Sequence, residues 1–187
     1  MAALKIPVIY DPTAANLSAA YAQYSELGLA TGHAAQSKNE VTALKAKIAH
    51  IIATTRKAPK GATYYYEIAT NYYSATSSTF VGQLFALLGL KSIADSAKGA
   101  SDGYPQLSAE FILKANPTYI FLADTICCKA SAASVGKRPG WSALGAVKDH
   151  RIVPLNDDIA SRWGPRITIL LQDAADAING KKVPSAS

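Results

Sequence analysis

Cysteine, histidine and charge are all scarce in this sequence, and each shortage narrows what the chain can do. The only cysteines are the neighbours Cys127 and Cys128. Adjacent Cα atoms lie ~3.8 Å apart across a trans peptide, below the usual disulfide spacing. An ordinary intrachain bridge is therefore disfavoured, while a strained vicinal one stays open. Two thiols alone make a poor zinc site, and no histidine is near them in sequence. His33, His50 and His150 are far apart and read as surface or satisfied histidines, not a ligand set. The cysteine pair does not report the compartment.

Long apolar runs are missing too, and none approaches the length of a membrane span. The opening MAALKIPVIYD lacks a basic n-region, and Lys5 and Pro7 interrupt its apolar run, so it does not read as a secretory signal. Taken literally, such a chain is expected in the cytoplasm. Charged residues make up 17% and hydrophobic residues 49% of the chain, the balance of a globular protein and not a disordered one. At 187 residues it can bury one good core with a small second lobe. A formal charge of +6 allows an acidic partner. The basic residues are scattered, however, with no basic-aromatic stripe, so no nucleic-acid partner is expected. A generally positive surface attracting small anions is the milder reading.

Enzyme signatures are equally thin. There is no H-E-x-x-H. Gly136-Lys137 hints at a phosphate loop, but Ser131 stands where the earlier glycine is needed and Arg138 replaces the Ser/Thr. The adjacent carboxylates Asp157 and Asp158 precede a helix, where Asp is favoured for capping alone. No catalytic residue, metal ligand or cofactor is assigned.

What the chain does have is alternation of strand and helix patterns. Ile6 to Tyr10 reads as a strand, and Asn16 caps a helix from Leu17 that Gly28 ends. Ser37 and Glu40 fit a capping box, with Val41, Leu44, Ile48, Ile51 and Ile52 recurring behind them at helical spacing. That helix is expected to reach Thr55, ~27 Å long at 1.5 Å per residue, before Pro59 and Gly61 break it. Strands follow at Thr63 to Ile68, Tyr119 to Ala123 and Arg151 to Leu155. Helices are expected at Phe80 to Leu88, Ser108 to Ala115, Trp141 to Val147 and from Gly164-Pro165 to Asn179. The pattern predicts an α/β fold: a parallel sheet with helices on its faces.

In such sheets ligands bind beyond the carboxyl ends of the strands. The loops there are 71–78, 124–138 and 156–162, rich in Tyr, Ser, Asp and Arg. Tyr72, Tyr73, Tyr104 and Trp163 fall in or beside predicted loops, where large flat groups either wall a bulky, partly apolar ligand or cover the sheet end. Arg162 either meets an anionic ligand or pairs with Asp157 or Asp158. Arg166 reads as structural, and Trp141 after Pro139-Gly140 as a core anchor. Glu110, at the second position of its helix, offsets the dipole by ~0.3–1 kcal/mol, which alone would explain it.

The runs YPQLSAEFILKANPTYIFLA and GPRITILLQDAADAI, preceded by NYYSATSSTFVGQLFALLGLKSIAD, resemble the second lobe of ABC-transporter substrate-binding proteins for ferric siderophores and cobalamin. The resemblance covers nearly the whole chain and is specific to the family, not to one ligand. It implies two α/β lobes bridged by one long helix, with ligand held between them, and no enzymatic activity. Residues 1–36 would be a remnant of the first lobe, 37–58 the connecting helix, and 59–187 a Rossmann-like C-terminal lobe. By resemblance Tyr104 and Tyr73 are ligand-facing aromatics, Asp158 and Arg162 polar cleft residues beside Trp163, and Glu110 the acid that engages an arginine of the membrane permease. Implied partners are a ferric siderophore or corrinoid and a permease dimer; the implied location is extracytoplasmic, periplasmic or as a lipoprotein. Tyr in place of the Trp seen at position 104 in some cobalamin receptors leaves the cargo open. Most of the first lobe has no counterpart here, nor do its signal peptide and lipid-anchoring cysteine. A truncated chain with weak cargo binding, or self-association through the uncovered face, is therefore expected. The rival of related architecture, a chelatase-like metal inserter, requires a histidine and a carboxylate facing one another in the cleft.

Overall fold

Tyr-rich and β-branched runs form the centre of the molecule because they bury both faces of a parallel sheet. The computed structural model describes residues 8–162 and 164–183. Strands β1 (Thr63–Glu67), β2 (Lys91–Ser92), β3 (Tyr119–Leu122) and β4 (Ile152–Pro154) pair in the order β2-β1-β3-β4, all parallel. Tyr64 stands opposite Tyr119 and Glu67 opposite Leu122, while Ile120 faces Ile152. The helices are α1 (Leu17–Ala30), α2 (Ala34–Thr54), α3 (Phe80–Ala86), α4 (Ala109–Ala115), α5 (Ala132–Gly136), α6 (Gly145–Lys148), α7 (Asp157–Ala160) and α8 (Ile167–Ile178).

Successive strand residues point to opposite faces, so β1 feeds two cores. Tyr64 and Tyr66 pack with Phe85 of α3, Ile48 and Ile51 of α2 and Leu171 of α8. Tyr65 packs on the other side with Ile112 of α4, Val135 of α5 and Trp141. Edge-to-face ring pairs hold both layers, Tyr64 to Phe85 at 5.0 Å and Tyr65 to Trp141 at 6.0 Å. The α/β class, the long helix and the role of Trp141 as a core anchor agree with the sequence pattern. Among the described residues no helix is long and apolar enough to cross a membrane.

Several local expectations are overturned. Val8, Ile9 and Tyr10 form no strand and are exposed, and residues 6 and 7 lie outside the described residues. β-branched residues make a strand only where a sheet receives them, and none of the four strands runs beside this segment. Helix α1 passes through Gly28 to Ala30. That glycine serves contact, not termination: a Cβ there would sit 2.1 Å from Ser37 Oγ. The expected capping box at Ser37 is absent because α2 starts three residues earlier, behind His33; the Ser37 hydroxyl donates to the Ala34 carbonyl at 3.1 Å. With 21 residues, α2 is about 31 Å long. Strand β2 and helices α5 and α7 were not legible as periodic runs. Helix α5 is opened by a reciprocal Ser131–Ser134 capping box, and α7 by Asn156, whose side chain accepts from the Asp158 amide at 3.0 Å.

Candidate ligand-binding cavity

At the carboxyl edge of the sheet lies a cavity of about 340 Å³, where parallel strands present their ends to a ligand. Its floor is Tyr66, Ile68 and Ala123 at the ends of β1 and β3, and Phe80 and Val81 of α3 form one wall. Tyr73, Tyr104 and Arg162 line the same space. The structure therefore brings together three of the side chains singled out in sequence, although they come from three separate loops.

The two tyrosines meet because their loops pair. Tyr73 and Gln106 form an antiparallel bridge, with the Ser74 amide donating to Pro105 O at 3.0 Å and Leu107 to Tyr72 O at 3.0 Å. Gly103 turns the chain into Tyr104 with φ +82°, a left-handed value that suits glycine, and a Cβ there would press to 3.1 Å from Thr79 Cγ2. Tyr73 is 41% and Tyr104 47% exposed, so both side chains retain surface that a ligand could cover. Burial raises the Tyr104 phenol, so its hydroxyl stays a hydrogen-bond donor at neutral pH. Tyr66 was not anticipated as a wall. Its hydroxyl donates to the Ala160 carbonyl at 2.9 Å and fixes α7 to the sheet edge; period-2 alternation from Tyr64 was the signal that placed it on this face.

Among the described residues lining the cavity, Arg162 carries the one charged side chain, alongside the hydroxyls of Thr13 and Ser161. Arg162 pairs with Asp158 at 3.1 Å, one helical turn away, and both side chains are largely exposed. Asp158 thus meets the cavity through Arg162. Asp157 is engaged elsewhere, accepting from the Thr125 hydroxyl and from the Ile126 and Cys127 amides. Trp163 lies outside the described residues. Tyr72 turns away to the opposite face with φ 68° and stacks on Trp141 at 5.9 Å, so it walls no ligand in this cavity. Glu110 is exposed in the first turn of α4, whose cap Ser108 accepts from the Phe111 amide at 3.1 Å. Its own backbone amide, then the Ser108 hydroxyl, hold its carboxyl below the usual range.

Sequence reasoning missed a buried cluster on the far face of the sheet. Arg138 clamps Glu67 with two bonds of 2.6 Å, and its guanidinium lies 4.7 Å over the Trp141 ring. Beside them Asp124 is fully buried, and neither of its oxygens finds a donor among the described residues. Burial, then the Glu67 charge, push Asp124 up to about 7 despite the opposing pull of Arg138. No signal marks these partners in sequence, since Glu67 and Arg138 stand 71 residues apart. Next to Asp124, Cys127 and Cys128 form a vicinal disulfide on an exposed loop.

Among the described residues no group of three or more His, Cys, Asp or Glu side chains could hold a metal. His33 sits in the α1–α2 turn, its Nδ1 3.2 Å from Thr31 Oγ1, and is not in the cavity wall. The facing histidine and carboxylate that a metal inserter requires are not assembled among these residues.

Residues 2–159 match the family of periplasmic binding proteins. The chain belongs to that family. It is 32% identical over 106 residues to an uncharacterized ABC transporter substrate-binding lipoprotein of Bacillus subtilis strain 168, covering 57% of this chain and 31% of that protein. The chain thus spans about a third of the length of this curated relative. A possible iron-binding, periplasmic solute-binding protein of Staphylococcus epidermidis superposes with a TM-score of 0.81 at 27% identity, over 95% of this chain and 68% of that one. The periplasmic vitamin B12-binding protein of Vibrio cholerae shares the fold with a TM-score of 0.67 at 20% identity, over 95% and 67% of the two chains. Periplasmic binding proteins are non-enzymatic, extracytoplasmic components of transport systems, which removes the metal-inserter alternative.

Proposed function

We propose that this chain supplies one wall of the cargo site of an ABC uptake system for a bulky metal chelate, of the ferric-siderophore or corrinoid kind. The observation that carries the reading is the convergence of Tyr73, Tyr104 and Arg162 on one cavity at the carboxyl edge of the sheet. Tyr73 and Tyr104 supply flat apolar faces, while Arg162, released from Asp158, supplies a charged hydrogen bond. Proteins with this fold include a possible iron-binding protein, a haem-binding protein and a vitamin B12-binding protein, which supports a large chelate without choosing among them. Glu110 lies outside the cavity and exposed, where a carboxylate is free to meet a permease arginine; that is its proposed role.

The test is the Tyr73→Ala, Tyr104→Ala double variant in a two-lobe version of the protein. Calorimetric affinity for its chelate is expected to drop at least tenfold, roughly 1.4 kcal/mol or more, with the thermal midpoint little changed. Unaltered affinity would remove both tyrosines from the site and the reading with them. The reading in which this chain only self-associates has exposed Val8, Ile9, Tyr10 and Leu29 in its favour; light scattering that shows a monomer across the micromolar range would end it.

A further inference from the structure

A second cavity, of about 650 Å³, opens at the opposite end of the sheet, where β3 and β4 begin. Three chain segments deliver positive charge to it: Arg56 after α2, Arg151 before β4, and Lys181 and Lys182 after α8. The buried ring of Tyr119 forms part of the wall, with the Arg151 guanidinium 5.8 Å over it. Opposing charge is sparse. Asp149 meets Arg151 at 3.4 Å and Asp176 meets Lys181 at 3.6 Å. Among the described residues, four permanent cations against these two carboxylates leave an excess of two positive charges.

Helix capping explains only part of this. Arg56 donates its Nε to the Ile178 carbonyl and its amide to Asn179 Oδ1 at 3.0 Å, so it and Lys181 serve the C-terminus of α8. That bond holds one edge of the Arg56 guanidinium and leaves its Nη groups at the cavity, 3.8 Å from where a Gly180 Cβ would stand. Capping accounts for neither Arg151 nor Lys182. Lys182 has no ion-pair partner among the described residues, and His150 occupies a left-handed φ of 54°, unusual for a residue with a Cβ.

We propose that this cavity is an anion site that takes the phosphate group of a phosphorylated ligand. A phosphate carries about −1.5 to −2 charge near neutral pH and three acceptor oxygens, which matches both the excess charge and the converging donors. Arg56 and Arg151 offer N–H groups from separate chain segments, and Lys182, which is exposed, offers a movable point charge. The cavity is far larger than one phosphate, so the group arrives as pyrophosphate, a phosphate ester or a lipid headgroup. The site lies at the opposite end of the sheet from Tyr73 and Tyr104, and its failure would leave the cargo reading untouched.

Inorganic pyrophosphate titrated calorimetrically into the 187-residue protein is the direct test, alongside co-sedimentation with phosphatidylglycerol vesicles. One-to-one binding that weakens with added salt is expected. Affinity should fall at least tenfold in the Arg151→Ala, Lys182→Ala double variant and stay unchanged in Lys91→Ala, an exposed lysine on β2 at the far sheet edge. Lys182→Glu, in the exposed segment after α8, repeats the measurement without disturbing the Tyr119 contact. Binding to phosphatidylglycerol vesicles alone, lost in the same variants, would assign the phosphate to a headgroup and keep the site. No saturable binding to either probe, or equal loss in Lys91→Ala, would overturn the proposal, the latter by making net charge the sole cause.

Discussion

Asp124 sits in an environment that a carboxylate tolerates poorly: it is fully buried, no donor reaches it among the described residues, and the Glu67 carboxylate is beside it. The charged groups around it are Glu67 on β1, Arg138 after α5 and Asp157 on α7, with the Tyr65 phenol also near. Arg138 is already spent on both Glu67 oxygens, so a proton on Asp124 relieves the remaining repulsion. Its folded-state value, about 7, stands above the unfolded value of 3.8. The native state therefore holds an extra proton between those limits. That contribution to stability is full below about pH 4 and is lost as pH rises through about 7. Asp173 on α8, pushed up to about 6 by burial and then by Asp176, acts in the same direction. Urea unfolding of the wild type is expected to show a loss of roughly 4 kcal/mol at most from these groups between about pH 5 and pH 8. Asp124→Asn should flatten that slope and leave only the Asp173 share. An unchanged slope would mean that Asp124 does not titrate in this range.

At the scale of elements, the turn between α1 and α2 is set by close approach. Gly28 is buried, and an added methyl would stand 2.1 Å from Ser37 Oγ and 2.4 Å from Ser37 Cβ. The second atom is fixed to the α2 backbone, so no rotamer change clears the overlap. Overpacking of this kind costs ~1–3 kcal/mol, while alanine in a helix interior gains at most ~1 kcal/mol over glycine. Gly28→Ala is accordingly expected to destabilise. Ser37→Gly in the same chain should restore much of the loss, with a coupling of about 1 kcal/mol or more in a double-mutant cycle read from denaturation midpoints. Additive effects would show that the helices do not meet there.

For the whole molecule, what matters is how much of a cargo one wall can cover. A site that holds a small ligand firmly buries some 70–90% of its surface, and a cavity of about 340 Å³ leaves most of a siderophore or corrinoid in water. Isothermal titration of the 187-residue chain with ferric siderophores and cobalamin should show affinity weaker than micromolar, and sub-micromolar binding would contradict the one-wall picture. Docking is a separate property at this scale. In a two-lobe version, Glu110→Ala should slow uptake without changing cargo affinity, because the side chain is exposed and outside the cavity. A changed affinity would place Glu110 in the cargo site instead.

Residue order alone determined the α/β class, the long helix, the core place of Trp141 and the loop positions of Tyr73 and Arg162, whereas Tyr104 was placed beside a ligand by family resemblance. Each of the former depends on short-range periodicity or on the rule that parallel strands bind at their carboxyl ends. It could not place what depends on partners distant in the chain. The β-branched run ending at Tyr10 lacked a sheet to join, Gly28 met Ser37 across a turn, and Tyr72 turned towards Trp141 while its neighbour Tyr73 turned to the cavity. Glu67, Asp124 and Arg138 became one buried cluster only when β1, β3 and the segment after α5 packed together. Local pattern reports which face a side chain takes along its own element. The neighbours it meets there are decided by packing, because burial and charge pairing are properties of the space between elements.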